Sequence, residues 1–351
     1  MKKTIQAAVA LFLMLAAASC TEKNLETGTA SGSILFNVVA PSGSSTRADT
    51  QVLASCENAV NKVQVFVFDD AGNIEKNIVM TTSSGTIENV STGTKTVWAV
   101  VNGPDLTGVT TVNVLKAKAL ALADNSTDGG TGFVMGGSDN CSVTEGTSSS
   151  CTIHVSRYVS RVRLVSVTNG CAAAIGSITV NSAMIINVTS NQNVAGDATH
   201  AAGNYVNRYG RAEENPLVSE HVIDGVTYVA QVPSLTWFKP STPLSIAAGA
   251  TQNCGYRFYA FSNSASHDQP FSTTFAPNDT RLAVSATVNG VQYWYSVRLD
   301  KGLERNKAYD VTLTISGKGS NDPQVDPTNG GFSASISVTE WQDGGDYNVN
   351  Y

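Results

Sequence analysis

Charge is scarce in this sequence. Asp, Glu, Lys and Arg make up 14% of the 351 residues, against about 25% in an average globular domain. Surface polarity must therefore come from Ser, Thr, Asn and Gly, which suit strands and turns better than helices. Basic clusters are missing too, and the net charge is -6. Nucleic acid is not an expected partner, nor is an anionic membrane surface. There is no Cys-x-x-Cys, and His154, His200, His221 and His267 are scattered, so no metal site is expected. Gly-x-Ser-x-Gly and His-Glu-x-x-His are absent. The loop that starts at Asp124 has Met135 where a calcium loop needs its bidentate glutamate. The glycines of 130–136 miss the dinucleotide spacing by one residue. No catalytic residues and no cofactor are expected.

No apolar run reaches the roughly 20 residues that a membrane-spanning helix needs. What stands at the N-terminus is shorter: Lys2 and Lys3, then small and apolar residues from Ala7 to Ala18, then Ser19 and Cys20. A basic start, a short apolar stretch and small residues at its end read as a secretory signal. A cysteine directly after Ala17-Ala18-Ser19 resembles a bacterial lipobox, although Ala17 takes the place of the usual leucine. Cys20 is therefore the expected lipidation site of an exported protein. Five further cysteines follow, at 56, 141, 151, 171 and 254. An odd number leaves at least one thiol unpaired within the chain. Cys141 and Cys151 flank a polar nine-residue segment and are the candidate disulfide.

The dominant pattern is short β-rich runs separated by turn residues. Strands are expected at 62–68, 94–101, 161–167, 177–188, 226–232, 256–261, 282–288 and 291–299. Asn289-Gly290 suits a two-residue type I′ hairpin. Only Val114 to Ala123 reads as a helix, without a cap. Few helices among regularly spaced strands point to an all-β protein of β-sandwiches, with a boundary near Gly170. Arg157, Arg161 and Arg163 fall on one side of a strand, where pairing with carboxylates of the sheet is favoured over ligand binding. Trp237-Phe238 and Tyr293-Trp294-Tyr295 read as core and cross-strand residues.

Two amphipathic strands stand apart from the rest. Ser33 to Ala40 places Ile34, Phe36, Val38 and Ala40 on one face. Phe332 to Trp341 does the same with Phe332, Ala334, Ile336 and Val338, after the Pro- and Gly-containing segment 318–331. Between the first strand and the rest lies Arg47, the first arginine of the chain, in a run of small residues. A cut between Arg47 and Ala48 would release the first strand and open an apolar groove. A matching strand from another chain would fill it by strand addition. Loss of residues 1–47 removes four basic and two acidic residues and leaves a net charge of -8.

At this point the chain resembles the fimbrillins of the Bacteroidales, which build type V pili. The resemblance rests on Cys20, Arg47-Ala48, Val63 to Gly72, Val97 to Asn102, Arg157 to Leu164, Tyr256 to Asn263, Leu303 to Gly317 and Ile336 to Trp341. It implies two tandem transthyretin-like β-sandwich domains with few short helices. The implied organisation is a lipoprotein signal peptide (1–19), a propeptide with a removable strand (20–47), two sandwich domains (48–170 and 171–317), and a linker with a donor strand (318–351). The donor residues are Phe332, Ala334, Ile336, Val338 and Trp341. The resemblance implies lipidation at Cys20, cleavage by an Arg-specific surface protease of the gingipain type, and polymerisation with identical or related fimbrial subunits by strand exchange. It places the lipidated precursor at the outer membrane and the processed subunit in an extracellular fimbria that supports adhesion to host or bacterial surfaces. Anchor and tip subunits of the same family, and a monomeric glycan-binding surface lipoprotein or hydrolase, are the alternatives. Arg47 argues against the anchor, and the C-terminal strand argues against the tip.

Overall fold

The computed structural model describes residues 30–41, 55–128, 130–210, 219–223, 226–265, 277–299, 302–327 and 330–341. The first part of the chain forms Ser31–Val39 (β1), Val63–Phe68 (β2), Ile74–Met80 (β3), Ser84–Ser91 (β4) and Gly93–Val101 (β5). A short helix, Val112–Lys116 (α1), leads to Ala119–Ala121 (β6), Met135–Val143 (β7), Ser148–His154 (β8) and Ser156–Arg157 (β9). Then come Val159–Asn169 (β10), Ile178–Ile186 (β11), Val188–Thr189 (β12), Asn191–Asn193 (β13), Tyr205–Val206 (β14), Ser219–Ile223 (β15) and Val226–Val229 (β16). After Pro233–Thr236 (α2) follow Trp237–Phe238 (β17), Leu244–Ile246 (β18), Thr251–Phe261 (β19) and Arg281–Val288 (β20). The last are Val291–Arg298 (β21), Lys307–Ile315 (β22) and Phe332–Glu340 (β23).

Four larger sheets organise these strands. A three-stranded sheet, β4-β1-β8, faces a five-stranded one, β3-β2-β5-β7-β9, and a Val/Ile-rich core lies between them. The sheet β19-β10-β22-β23 faces a sheet of β17, β11, β20 and β21, with β18 beside β11, across a second core. That second core continues beneath the other face of β2, so all six residues of β2 are buried. Val63, Val65 and Val67 enter the first core, and Phe66 and Phe68 enter the second. A strand covered on both faces needs apolar residues on both, which is why Val63 to Phe68 does not alternate with polar residues. Gln64 is the exception. Its amide is answered by Asn77 Oδ1 (3.0 Å), the Leu106 carbonyl (3.1 Å) and the Leu106 N–H (3.0 Å).

Asparagines end several of these strands. Asn102, Asn187, Asn207, Asn289 and Asn306 all have positive φ, a region that asparagine tolerates better than most residues. Asn289 (φ 50°) and Gly290 (φ 77°) make the β20–β21 turn with both residues left-handed, the type I′ geometry that their sequence indicates. Asn102 closes β5. Its Oδ1 accepts from the N–H groups of Asn61 (2.9 Å) and Lys62 (3.3 Å), and its Nδ2 donates to the carbonyls of Ala59 (2.7 Å) and Phe133 (3.0 Å).

Three expectations change. The helix expected over 114–123 is α1, which begins at Val112 and is capped by Thr111, whose hydroxyl accepts from the Val114 N–H at 3.3 Å. Residues 119–121 leave it to pair with β13, a tertiary pairing that propensity does not reveal. Residues 318–327, read as a linker, are tied down. Ser320 and Trp294 exchange backbone hydrogen bonds (2.7 and 2.9 Å), and Asp326 meets Arg281 at 2.5 Å. Finally, β10 is hydrogen-bonded along both edges, to β19 and β22. It shares a sheet with strands that follow Gly170, so a boundary at 170 would separate members of one sheet.

Replacement of Asn102 by Ala removes four hydrogen bonds and leaves at φ 55° a residue that tolerates this region less well than asparagine. Unsatisfied buried polar groups cost about 1–3 kcal/mol each. Denaturant unfolding of Asn102→Ala should therefore show a loss of about 3 kcal/mol. A loss below about 1 kcal/mol would remove Asn102 from its assigned role.

Candidate functional site

β1 is the middle strand of its sheet. It runs antiparallel to β4, from Ser31↔Ser91 to Asn37↔Ser84, and parallel to β8, from Ser33↔Ser148 to Val39↔His154. Within this sheet β4 and β8 meet only through β1. Two interstrand spacings put them about 9.5 Å apart, so without β1 they would be two unpaired edges facing one empty slot. Ile34, Phe36 and Val38 point into the first core at 0%, 0% and 4% exposure, while Leu35 on the opposite face is 49% exposed. Full burial of three such side chains is worth roughly 4–9 kcal/mol. Gly85 lies across from Phe36; a Cβ there would come within 2.7 Å of Met80 Cε and 3.1 Å of the Phe36 ring, so the glycine makes room for both side chains.

A buried ion pair closes one end of the slot. Lys95 Nζ meets Glu75 Oε2 at 2.9 Å and the Ser91 hydroxyl at 2.7 Å. Ser91 in turn pairs with Ser31 at the start of β1. Burial pushes the Glu75 carboxyl up, but hydrogen bonds from the Ser91 N–H and the Lys95 ammonium outweigh it and hold the group below the ordinary carboxylate range.

Cys141 and Cys151 are brought together on β7 and β8. Both are thiols, both pack against the first core, and they share a hydrogen bond. Cys151 sits opposite Phe36 in the β1–β8 ladder. Its S–H is held by Cys141 and by burial, which push its pKa up, whereas the Cys141 thiol is drawn down by that hydrogen bond.

The C-terminal strand is seated very differently from β1. Among the described residues β23 pairs antiparallel with β22 alone, from Lys307↔Glu340 to Ile315↔Phe332, at the edge of its sheet. Phe332, Ile336 and Val338 only partly enter the second core, and Ala334 is exposed. Trp341, just beyond the strand, is 5% exposed. Cys20, Arg47 and Ala48 lie outside the described residues.

Arg161 and Arg163 pair with carboxylates, Glu57 at 3.3 Å and Asp310 at 2.5 Å. Arg157 instead donates to backbone and amide oxygens, the Glu57 carbonyl (2.7 Å) among them. Trp294 and Tyr295 are core residues, and Phe238 packs on Tyr256 at 4.1 Å. Two groups central to this geometry have no signal in the sequence. Glu57 is a lone acid in a mixed stretch, and Gly85 is one glycine among 30.

A family model described as fimbrillin-A associated anchor proteins Mfa1 and Mfa2 matches residues 56–343. Several solved structures share the fold. A protein from Bacteroides eggerthii DSM 20697, described as a cell adhesion protein, is 19% identical over 89% of this chain and 96% of its own, with a TM-score of 0.57. A fimbrilin from Porphyromonas gingivalis W83 is 14% identical over 88% of this chain and 97% of its own, with a TM-score of 0.58. A Parabacteroides distasonis ATCC 8503 protein described as a cell adhesion protein is 14% identical over 90% and 98%, also at 0.58. At these identities the likeness is one of fold. No curated protein matches the sequence.

In an oxidising compartment the Cys141–Cys151 pair is expected to close. Intact-mass measurement of exported protein should show the loss of two hydrogens, absent in Cys141→Ser. Reduction should then lower the melting temperature of the wild type, by the equivalent of about 2–4 kcal/mol, and leave that of Cys141→Ser unchanged. Two thiols freely alkylated in exported protein would contradict this.

Proposed function

The chain belongs to the family of fimbrillin-A associated anchor proteins Mfa1 and Mfa2, and within that fimbrial family we propose that it is a stalk subunit of a cell-surface fimbria. It is exported as a lipoprotein through Cys20, cut after Arg47, and polymerised when β23 of one subunit takes the place of β1 in the next. The observation that carries this reading is the contrast between the two strands. β1 has two ladders and a fully buried face, whereas β23 has one ladder and a half-buried face. Moving β23 into the slot of β1 gives up one ladder for two and completes the burial of Phe332, Ile336 and Val338.

Cleavage supplies the opportunity. β1 is joined to the rest of the chain through residues 42–54, so a cut after Arg47 turns a tethered strand into a dissociable one. A short tether keeps a segment at an effective concentration on the order of millimolar, which no strand in solution matches. Once that advantage is lost, an incoming strand competes on its contacts alone. The register is set by the side chains, because a one-residue slip would turn the apolar face outward. Ordering the incoming strand offsets part of the gain.

In the experiment, precursor is treated with an Arg-specific protease and mixed with a synthetic peptide of residues 330–341. The new N-terminus should be Ala48, and the processed protein should bind the peptide while uncut precursor and Arg47→Ala do not. Full burial of an Ile side chain is worth about 1.5–3 kcal/mol, and 1.4 kcal/mol is tenfold in affinity. An Ile336→Asp peptide should therefore bind at least tenfold more weakly. Normal fibres from Arg47→Ala, or no peptide binding by protein that has lost β1, would refute the reading. Surface protein that begins at Cys20 and keeps β1 would mark an anchor subunit instead.

On cells, Cys20→Ser should abolish acylation and reduce the surface-exposed protein, read by protease accessibility. Equal surface amounts would count against the lipoprotein step.

A further inference from the structure

β23 is held at its two ends by unlike devices. Before it, residues 318–327 are tied to β20 and β21, and the Gly331 carbonyl accepts from the N–H groups of Ser316 (2.9 Å) and Gly317 (3.1 Å). These contacts leave the strand itself free to pivot beyond Gly331. The first half of the strand has exposed side chains at Ser333, Ala334 and Ser335, and Ile336 and Val338 beyond them are half-buried. After it, Trp341 is locked into a polar and aromatic seat.

The seat is built from separate parts of the chain. The Trp341 ring lies under the guanidinium groups of Arg157 (4.3 Å) and Arg161 (5.3 Å) and against the rings of Tyr259 (5.8 Å) and Phe133 (6.1 Å). The Trp341 backbone N–H donates to the Asn306 carbonyl (2.9 Å), and the Trp341 backbone carbonyl accepts from Arg157 Nη1 (2.8 Å). Glu57 aims both arginines. Its carbonyl accepts from Arg157 Nε (2.7 Å), and its carboxylate accepts from Arg161 Nη1 (3.3 Å) and from the Tyr259 hydroxyl (2.8 Å). Arg157 also donates to Asn58 Oδ1 and to Asn306 Oδ1. Arg157 and Glu57 are essentially inaccessible to solvent, which strengthens cation–π and charge-assisted contacts.

We propose that Trp341 is the latch that keeps the C-terminal strand on its own chain, and that Glu57 is the positioning residue that holds the latch seat together. Along its length the strand has one ladder and a half-buried face, and just past its end Trp341 is almost fully buried. Release begins when the indole leaves the two arginines, and β23 then peels from β22 toward Gly331, giving up its one ladder. Glu57 and Asn58 belong to the first described segment after residues 42–54, so the seat joins the N-terminal part of the cut chain to the strand that is to be donated. This deepens the functional reading above and rests on β23 being the donated strand.

The test is hydrogen exchange on the full-length precursor, where β1 is still in place and polymerisation does not interfere. In Trp341→Ala the amides of 332–340 should exchange at least tenfold faster than in wild type, while those of β1 and β10 keep their protection. Trp341→Phe, which retains a ring beneath the arginines, should restore most of the protection, and Glu57→Gln should lose part of it. If Trp341→Ala loses protection throughout, Trp341→Leu, which keeps the apolar volume, is read in its place. Protection of 332–340 within twofold of wild type in the variant that folds overturns the latch. Assembly tests the other reading separately: a freed β23 that does not speed fibre formation after processing leaves the latch standing and removes β23 as the donor.

Discussion

The structure depends on one strand that its two neighbours cannot do without. β4 and β8 are joined through β1, and the first core is closed on that side by Ile34, Phe36 and Val38. Backbone groups on two facing edges, and an apolar floor beneath them, are both satisfied by a single segment. A slot of this kind cannot collapse, because β4 and β8 would have to cross a full strand spacing to meet. It can only be occupied or open, and an open one exposes what proteins ordinarily protect, unpaired edges beside apolar surface. The segment that satisfies these demands is joined to the body of the protein through residues 42–54.

The low charge content takes on a meaning in three dimensions. Although many of the charged residues are exposed, several are placed where sheets meet. Lys95 with Glu75 closes one end of the β1 slot, and Glu57 with Arg161, Tyr259 and Arg157 forms the hub beneath Trp341. Isolated charges at these depths would be costly, and each is answered by partners. Such networks fix one arrangement of sheets against another more sharply than apolar packing does, since a half-made network is worse than none. The asparagines work in the same way at strand ends. Asn102 takes up a left-handed turn and, from that one position, binds 59–62 and Phe133.

Much of this was legible in sequence because it is local. Strand positions follow from β-rich runs and their turn residues, and Asn289-Gly290 specifies its turn through φ/ψ preferences alone. The inward face of β1 follows from period-two alternation. The short segment from Cys141 to Cys151 limits where those two thiols can go, and the structure brings them into contact.

What the tertiary structure decided is pairing. Alternation shows that Ile34, Phe36 and Val38 share a face, but not that their strand lies between two others, one parallel and one antiparallel. Nor does it show that β10 is paired along both edges, that residues 119–121 leave a helical pattern to meet β13, or that 318–327 are strapped to β20 and β21. Glu57 gave no sign of its role, because its partners stand about 100 residues or more away along the chain. The sequence by itself determined which segments are strands and which face of most of them is apolar, because backbone preference and side-chain alternation act over a few residues. Only the tertiary structure decided which edges meet, because a backbone ladder is blind to sequence and its partners are chosen by burial across the whole fold.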